Sequence, residues 1–178
     1  MALREDRIAE IVERVLARLG SGSGSGSGSM LTAHVVYATM TGNNEEVANI
    51  VCDSLTNLNV KVTESEISQT DVADFMKADI LVVCAYTYDE GAMPEEGLDF
   101  YDDLQSTDLT GKVYGVAGSG DKFYGEYFNT TVDHFDDAFK KAGATSGAEK
   151  VKIDLEPYEE DIERLNKFAE GLVKTASK

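Results

Sequence analysis

Residues 33–44 read Ala33-His34-Val35-Val36-Tyr37-Ala38-Thr39-Met40-Thr41-Gly42-Asn43-Asn44: six largely apolar residues, then a turn rich in hydroxyls and amides. The apolar run predicts a buried strand. The turn predicts a helix start, because Val47, Ile50, Val51, Ser54, Leu55 and Leu58 then recur on one helical face. A strand feeding such a turn builds an anion site: Thr and Asn side chains donate, backbone N–H groups converge, and the helix N-terminus is positive. No Lys or Arg stands in the turn. A nucleoside triphosphatase ends its glycine-rich loop in a Lys that reaches the phosphates, so this turn fits a phosphate held by neutral donors. Taken alone, it fits a well-capped helix without a ligand as well.

Beyond the turn, strands and helices alternate. Lys61 to Glu66 reads as a strand and Asp71 to Lys77 as a short helix, and residues 79–85 form a continuous apolar strand of the kind buried on both faces. Pro94 to Leu104 reads as a helix, Lys112 to Gly118 as a strand, and Asn129 to Ala142 as a helix stopped by Gly143. Val151 to Leu155 is the last strand and Pro157 to Lys174 the last helix, with Pro157 suited to a first turn. This alternation predicts an α/β fold, a doubly wound five-stranded parallel sheet with helices on both faces. At 178 residues, 42% of them hydrophobic, the chain has the material for one ordinary core. Ligands on such sheets sit at the carboxyl ends of the strands, where the strand order reverses.

Gly20 to Ser29 alternates Gly and Ser strictly, and Met30 follows like a second start. This is the composition of a flexible coil and reads as an engineered linker over 21–29, dividing the chain into a separate amphipathic helix over 1–20 and a domain over 30–178. In the helix, Ile8, Ile11, Val12, Val15, Leu16 and Leu19 form one stripe. A helix this short is marginal alone, so the stripe needs something to dock on. The segment resembles the encapsulation peptides of bacterial microcompartment cargo, which implies shell or cargo proteins as partners and a microcompartment lumen as location. A membrane-surface or self-associating helix is the competing account, and the first is weakened by Arg4, Arg7, Arg14 and Arg18 balancing Glu5, Asp6, Glu10 and Glu13.

That balance leaves 12 basic and 29 acidic residues in 30–178, which carry the whole net charge of -17. Such a surface repels nucleic acid and anionic membranes and steers basic protein faces, although solubility alone accounts for it too. No apolar run approaches the roughly 20 residues of a membrane span, and the N-terminus is unlike a signal peptide, so the expected location is cytoplasmic. Cys52 and Cys84 are too few for a disulfide framework and read as buried free thiols.

Three loops leave the carboxyl edge of the predicted sheet. The first is the anion turn. The second is Tyr86-Thr87-Tyr88-Asp89-Glu90-Gly91-Ala92-Met93, and the third is Gly118-Ser119-Gly120-Asp121-Lys122-Phe123-Tyr124-Gly125, followed by Glu126 and Tyr127. The last two put aromatic rings on glycine-containing turns, and two rings across a gap clamp a flat heteroaromatic ligand. A phosphate at one end and a planar ring at the other describe a mononucleotide. His34 falls in a strand and His134 in a helix, away from the loops, and no cluster has metal-ligand spacing, so no catalytic or metal-ligating residue is assigned.

The spacing Thr39-x-Thr41-Gly42-Asn43, then Thr87-Tyr88, then Gly118-Ser119-Gly120-Asp121-x-x-Tyr124 resembles the flavodoxins over essentially all of 30–178. With no long insertion in the last strand, the chain is similar to the short-chain type. The resemblance implies a one-electron carrier that uses noncovalent FMN and is not an enzyme; a monomer is expected, and the surrounding negative charge, which disfavours the anionic hydroquinone, is expected to keep the potential low. It implies that Thr39, Met40, Thr41, Gly42, Asn43 and Asn44 hold the phosphate, with the Asn44 amide as a donor. It also implies that Tyr88 and Tyr124 flank the isoalloxazine and that the backbone of Ser119, Gly120 and Asp121 meets the ring edge. Tyr86, Thr87, Asp89, Glu90, Gly91, Phe123 and Tyr127 complete the implied cofactor set. The family often has Thr where Asn44 stands and Gly where Asp89 stands. Partners implied are the basic faces of reductases and acceptor redox proteins. A response-regulator receiver shares the strand order but needs acidic residues where this chain has Thr39-Met40 and Tyr86-Thr87. An FMN-dependent NAD(P)H or quinone reductase and a non-flavin interaction domain remain as alternatives.

Overall fold

The computed structural model describes residues 29–178. In chain order these form β1 (Thr32–Ala38), α1 (Asn43–Asn57), β2 (Lys61–Glu66), α2 (Val72–Phe75), β3 (Ile80–Ala85), α3 (Leu98–Ser106), β4 (Val113–Gly120), α4 (Thr130–Lys141), β5 (Thr145–Ser146), β6 (Val151–Asp154) and α5 (Glu159–Ala176). The amphipathic helix expected over 1–20, and nearly all of the linker, lie outside the described residues. Among the described residues no helix is long and apolar enough to cross a membrane.

β3 shows why these segments became strands. All its residues are buried, and successive side chains enter opposite layers: Ile80, Val82 and Cys84 join the core under α1 and α5, whereas Leu81, Val83 and Ala85 join the core under α2, α3 and α4. Burial on both faces turns the usual alternation into a continuous apolar run. The sheet is parallel throughout, in the order β2-β1-β3-β4-β5, with β6 also paired to β4. β1 and β3 lie side by side, Ala38 opposite Ala85, and the chain winds outward from them in both directions. Their carboxyl ends therefore flank the switch point.

Several boundaries differ from the sequence reading. The last strand is two pieces end to end along β4, because the chain crowds α5 between them. A Cβ on Gly147 would lie 2.6 Å from Val113 Cγ1, and one on Gly171 would lie 2.8 Å from the Gly147 carbonyl. The segment expected to be helical from Pro94 starts as a 3-10 turn, Glu95–Gly97, and another 3-10 turn, Lys122–Tyr127, occupies what read as open loop. β4 runs on to Gly120, because β6 continues the ladder there.

His34 and the cysteines are structural. The His34 Nε2 lies 2.7 Å from the Ser65 hydroxyl, and its ring centroid is 5.4 Å from that of Phe75. His134 is exposed on α4. Cys52 and Cys84 are buried free thiols whose ionisation burial suppresses.

Burial holds the His34 pKa below its ordinary 6.5, opposed in part by the Asp74 charge. Above that value the imidazole is neutral in both states. As pH falls through it, the unfolded chain takes up a proton that the fold resists, so stability drops by up to about 1.4 kcal/mol per pH unit until the folded group titrates too. His34→Gln removes this titration. Urea midpoints measured between about pH 7 and 5.5 should decline less steeply for the variant than for the parent chain, and parallel declines would show that His34 is not part of the acid response.

Candidate functional site

A cavity of about 230 Å³ opens at the carboxyl ends of β1, β3, β4 and β6. One wall is the turn after β1. Gly42 sits at φ +91°, a conformation open to Gly at little cost, and its N–H donates to Thr39 Oγ1 over 2.9 Å. The first helical bond runs from the Glu46 N–H to the Gly42 carbonyl at 3.0 Å, which leaves the N–H groups of Asn43, Asn44 and Glu45 without helical partners. The Thr39 hydroxyl accepts from Gly42 and keeps its own proton to donate. This turn therefore presents hydroxyls, free N–H groups and the positive end of a 15-residue helix at one place.

Asn44 does something the sequence reading missed. Its amide does not face outward as a phosphate donor. Only 2% exposed, it reaches across to β4, with Nδ2 donating to the Ser119 carbonyl (3.2 Å) and Oδ1 accepting from the Ser119 N–H (2.8 Å). The amide carries its donor and its acceptor on separate atoms, which match the two groups of the Ser119 peptide. Asn44 keeps a place in the anion turn through its backbone N–H.

The second loop is a tight hairpin closed by Tyr88 and Ala92, which exchange hydrogen bonds of 2.8 and 2.7 Å around Asp89, Glu90 and Gly91. Asp89 stands at φ +41°, where a Gly would sit without steric conflict. Gly91 is held by the third loop: a Cβ there would lie 3.0 Å from the Tyr127 ring, and the Thr130 hydroxyl donates to its carbonyl at 3.3 Å. Thr87 Oγ1 accepts from the Thr131 N–H (3.1 Å) at the start of α4. Tyr86 donates its hydroxyl to Glu96 (2.9 Å), and burial together with that carboxylate keeps the phenol protonated.

The third loop is tied to a fourth where it leaves β4. Ser119 Oγ donates to the Leu155 carbonyl, and the Leu155 N–H returns a 2.6 Å bond to Gly120. Asp121 caps the 3-10 turn by accepting from the Phe123 N–H at 2.8 Å. Tyr124 lines the cavity and meets Phe123 edge-on, with centroids 5.8 Å apart.

The cavity brings together Met40, Thr41, Asn43, Asn44, Tyr86, Thr87, Asp89, Ser119, Gly120, Asp121, Tyr124 and Tyr127 from the predicted set. Thr39 and Gly42 lie inside the turn rather than on the wall. Tyr88, half exposed, and Glu90 and Gly91 stand on the rim hairpin, and Phe123 is 87% exposed outside the cavity. Phe128, Asn129 and Leu155 line it unforeseen. Two signals for them were available: Asn129 opens a helix, a common place for Asn, and the last strand ends on the same sheet edge as the other three. No Lys, Arg, His or Cys among the described residues lines the cavity, and Lys122 in the third loop faces Asp154, 3.9 Å away. Among the described residues, no group of three or more His, Cys, Asp or Glu is placed to hold a metal.

The family model described as Flavodoxin matches residues 35–168. The Bacillus subtilis protein named probable flavodoxin 1 is 32% identical over 145 residues, which cover 81% of this chain and 91% of that one. A solved flavodoxin from Streptococcus pneumoniae TIGR4 superposes with a TM-score of 0.79 at 51% identity, covering 81% of this chain and 99% of the other. The NADPH–cytochrome P450 reductase of Rattus norvegicus is 33% identical over 117 residues, 62% of this chain but 17% of that much longer protein.

Asn44→Ala strands the Ser119 N–H and carbonyl inside the protein. At about 1–3 kcal/mol for each unsatisfied buried group, the loss should be roughly 2–4 kcal/mol in a urea titration. A change under about 0.5 kcal/mol would mean that water replaces the bridge without loss.

Proposed function

The chain belongs to the flavodoxin family, and on that premise we propose that residues 30–178 hold FMN noncovalently and carry single electrons at low potential. Flavodoxins are FMN-binding electron-transfer proteins and not enzymes. One observation supports the reading above others: a cation-free anion turn and an aromatic-lined cavity share one wall at the sheet's switch point.

The residues fit the cofactor. A phosphate suits the free N–H groups of α1 with Thr39, Thr41 and Asn43, and the Thr87 hydroxyl, already accepting from Thr131, has a proton to give. Tyr124 and, from the rim, Tyr88 offer faces to a flat ring, and the backbone of Ser119, Gly120 and Asp121 offers its edge polar groups. FMN supplies the redox chemistry, and the protein orients it, limits water and sets the field around it. Asp89 and Asp121 on the wall, within a strongly acidic surface, oppose further negative charge on the ring and so keep its potential low. The same field steers the basic faces of reductases and acceptor proteins. The Gly-Ser composition of 21–29 supports a separate segment over 1–20 whose apolar residues dock on microcompartment shell or cargo proteins, which would place the carrier in that lumen.

If neutral donors at α1 hold a phosphate, FMN must bind far more tightly than riboflavin, each charge-assisted hydrogen bond contributing about 1.5–3 kcal/mol. Titration of flavin fluorescence measures both affinities. Equal affinities would remove the phosphate site, and a protein that stays colourless with added FMN would remove the cofactor.

Deleting residues 1–29 should leave the FMN affinity and the melting midpoint unchanged, while Leu16→Asp should abolish capture by shell or cargo proteins. A truncated chain that binds FMN more weakly would show that the helix packs on the domain instead.

A further inference from the structure

Asn129 lies on the cavity wall. It is wholly buried, stands at φ +54° as the residue before α4, and donates Nδ2 to two carbonyls, Gly118 on β4 (3.3 Å) and Ile153 on β6 (3.1 Å). Its Oδ1 has no hydrogen-bond partner and presses on Gly120, where a Cβ would lie 2.4 Å from it. Gly120 is thus a glycine because Asn129 covers it. A buried acceptor left unpaired is destabilising, and a plain helix cap needs neither the second carbonyl contact nor the approach to Gly120. Asn44 holds the intervening residue, Ser119, by both of its peptide groups. Three successive residues of β4 are therefore fixed by two enclosed amides, one from α1 and one from the head of α4.

We propose, resting on the FMN reading, that Asn129 is a positioning residue for the ring end of the cofactor. Acting through Gly118 and Gly120, it sets where the backbone of Gly120 and Asp121 meets the edge of the ring, while Asn44 registers that edge against the phosphate turn. The hydrogen bonds of the amide go to peptide groups of β4 and β6, so its loss weakens recognition of the ring and leaves recognition of the phosphate intact.

Two variants of the full chain test this. Asn129→Gly keeps the left-handed backbone and deletes the amide. Asn129→Asp keeps the shape but offers a donor only when protonated. For Asn129→Gly, the dissociation constants of FMN and riboflavin should rise by the same factor, about tenfold, the scale of a lost buried hydrogen bond. The ratio between the two flavins should stay as in the parent chain, and the bound flavin's visible circular dichroism should change. For Asn129→Asp, affinity relative to the parent at the same pH should be poor near pH 8 and recover toward pH 5, as the acid gains a proton to donate to one carbonyl. Thermal melts identify folded samples, and if the Gly variant does not fold, the pH profile of the Asp variant decides. Unchanged affinities in folded Asn129→Gly, a fall confined to FMN, or a flat relative profile for Asn129→Asp would each overturn the inference. Failure of the parent chain to bind FMN would overturn the cofactor reading along with it, whereas tight binding by the parent and an indifferent variant overturn this inference alone.

Discussion

The Asn44 side chain and the Ser119 peptide bond each other in both directions, and the cavity depends on that reciprocal pair. Asn44 lies in the first turn of α1, and Ser119 near the end of β4, two strands away across β3. Joined, they hold the anion turn at a fixed distance from the loop that carries Tyr124. Without them each wall would be free to relax on its own, since an exposed loop has few apolar contacts to hold it in place. The remaining cross-links follow the same logic: Thr87 binds the start of α4, Thr130 binds the hairpin at Gly91, and Leu155 binds Ser119 and Gly120. The four loops brace one another as well as the sheet.

Charge is arranged by a second rule. Among the described residues the cavity wall carries carboxylates and no Lys or Arg, so an anion bound there would be held by dipoles. Lysines away from the cavity answer acids of their own: Lys150 and Lys152 both reach Asp133, and Lys140 reaches Asp136, which also accepts from the buried Tyr114 hydroxyl. Dipoles would hold a phosphate without cancelling the negative field around the rest of a ligand. A Lys in the turn would do both.

Much of this was legible in the sequence. β3 announced itself because burial on two faces leaves no polar position, and the anion turn because its hydroxyls and glycine sit between a strand pattern and a helix pattern. What escaped is whatever depends on residues far apart along the chain. Nothing near Asn44 says that its amide will meet a peptide 75 residues later, and a Thr there would have read the same way. Asn129 read as a helix start, which it is, and its two carbonyl partners appear only once β4 and β6 pair. The break between β5 and β6 likewise comes from close packing of Gly147 on Gly171, a tertiary cause with no local sign.

The long reach of the Asn44–Ser119 bridge also bears on how the protein matures. Parallel strands are joined by distant segments, and pairing across large sequence separations is slow because the loop-closure entropy comes first. A chain whose first strand and helix have formed, but whose β4 has not yet joined the sheet, has half of its anion turn and no opposite wall. It has nothing with which to retain a mononucleotide. A ligand that needs both walls would bind only chains whose sheet is complete, and by mass action would withdraw those chains from the pool exposed to proteolysis and aggregation.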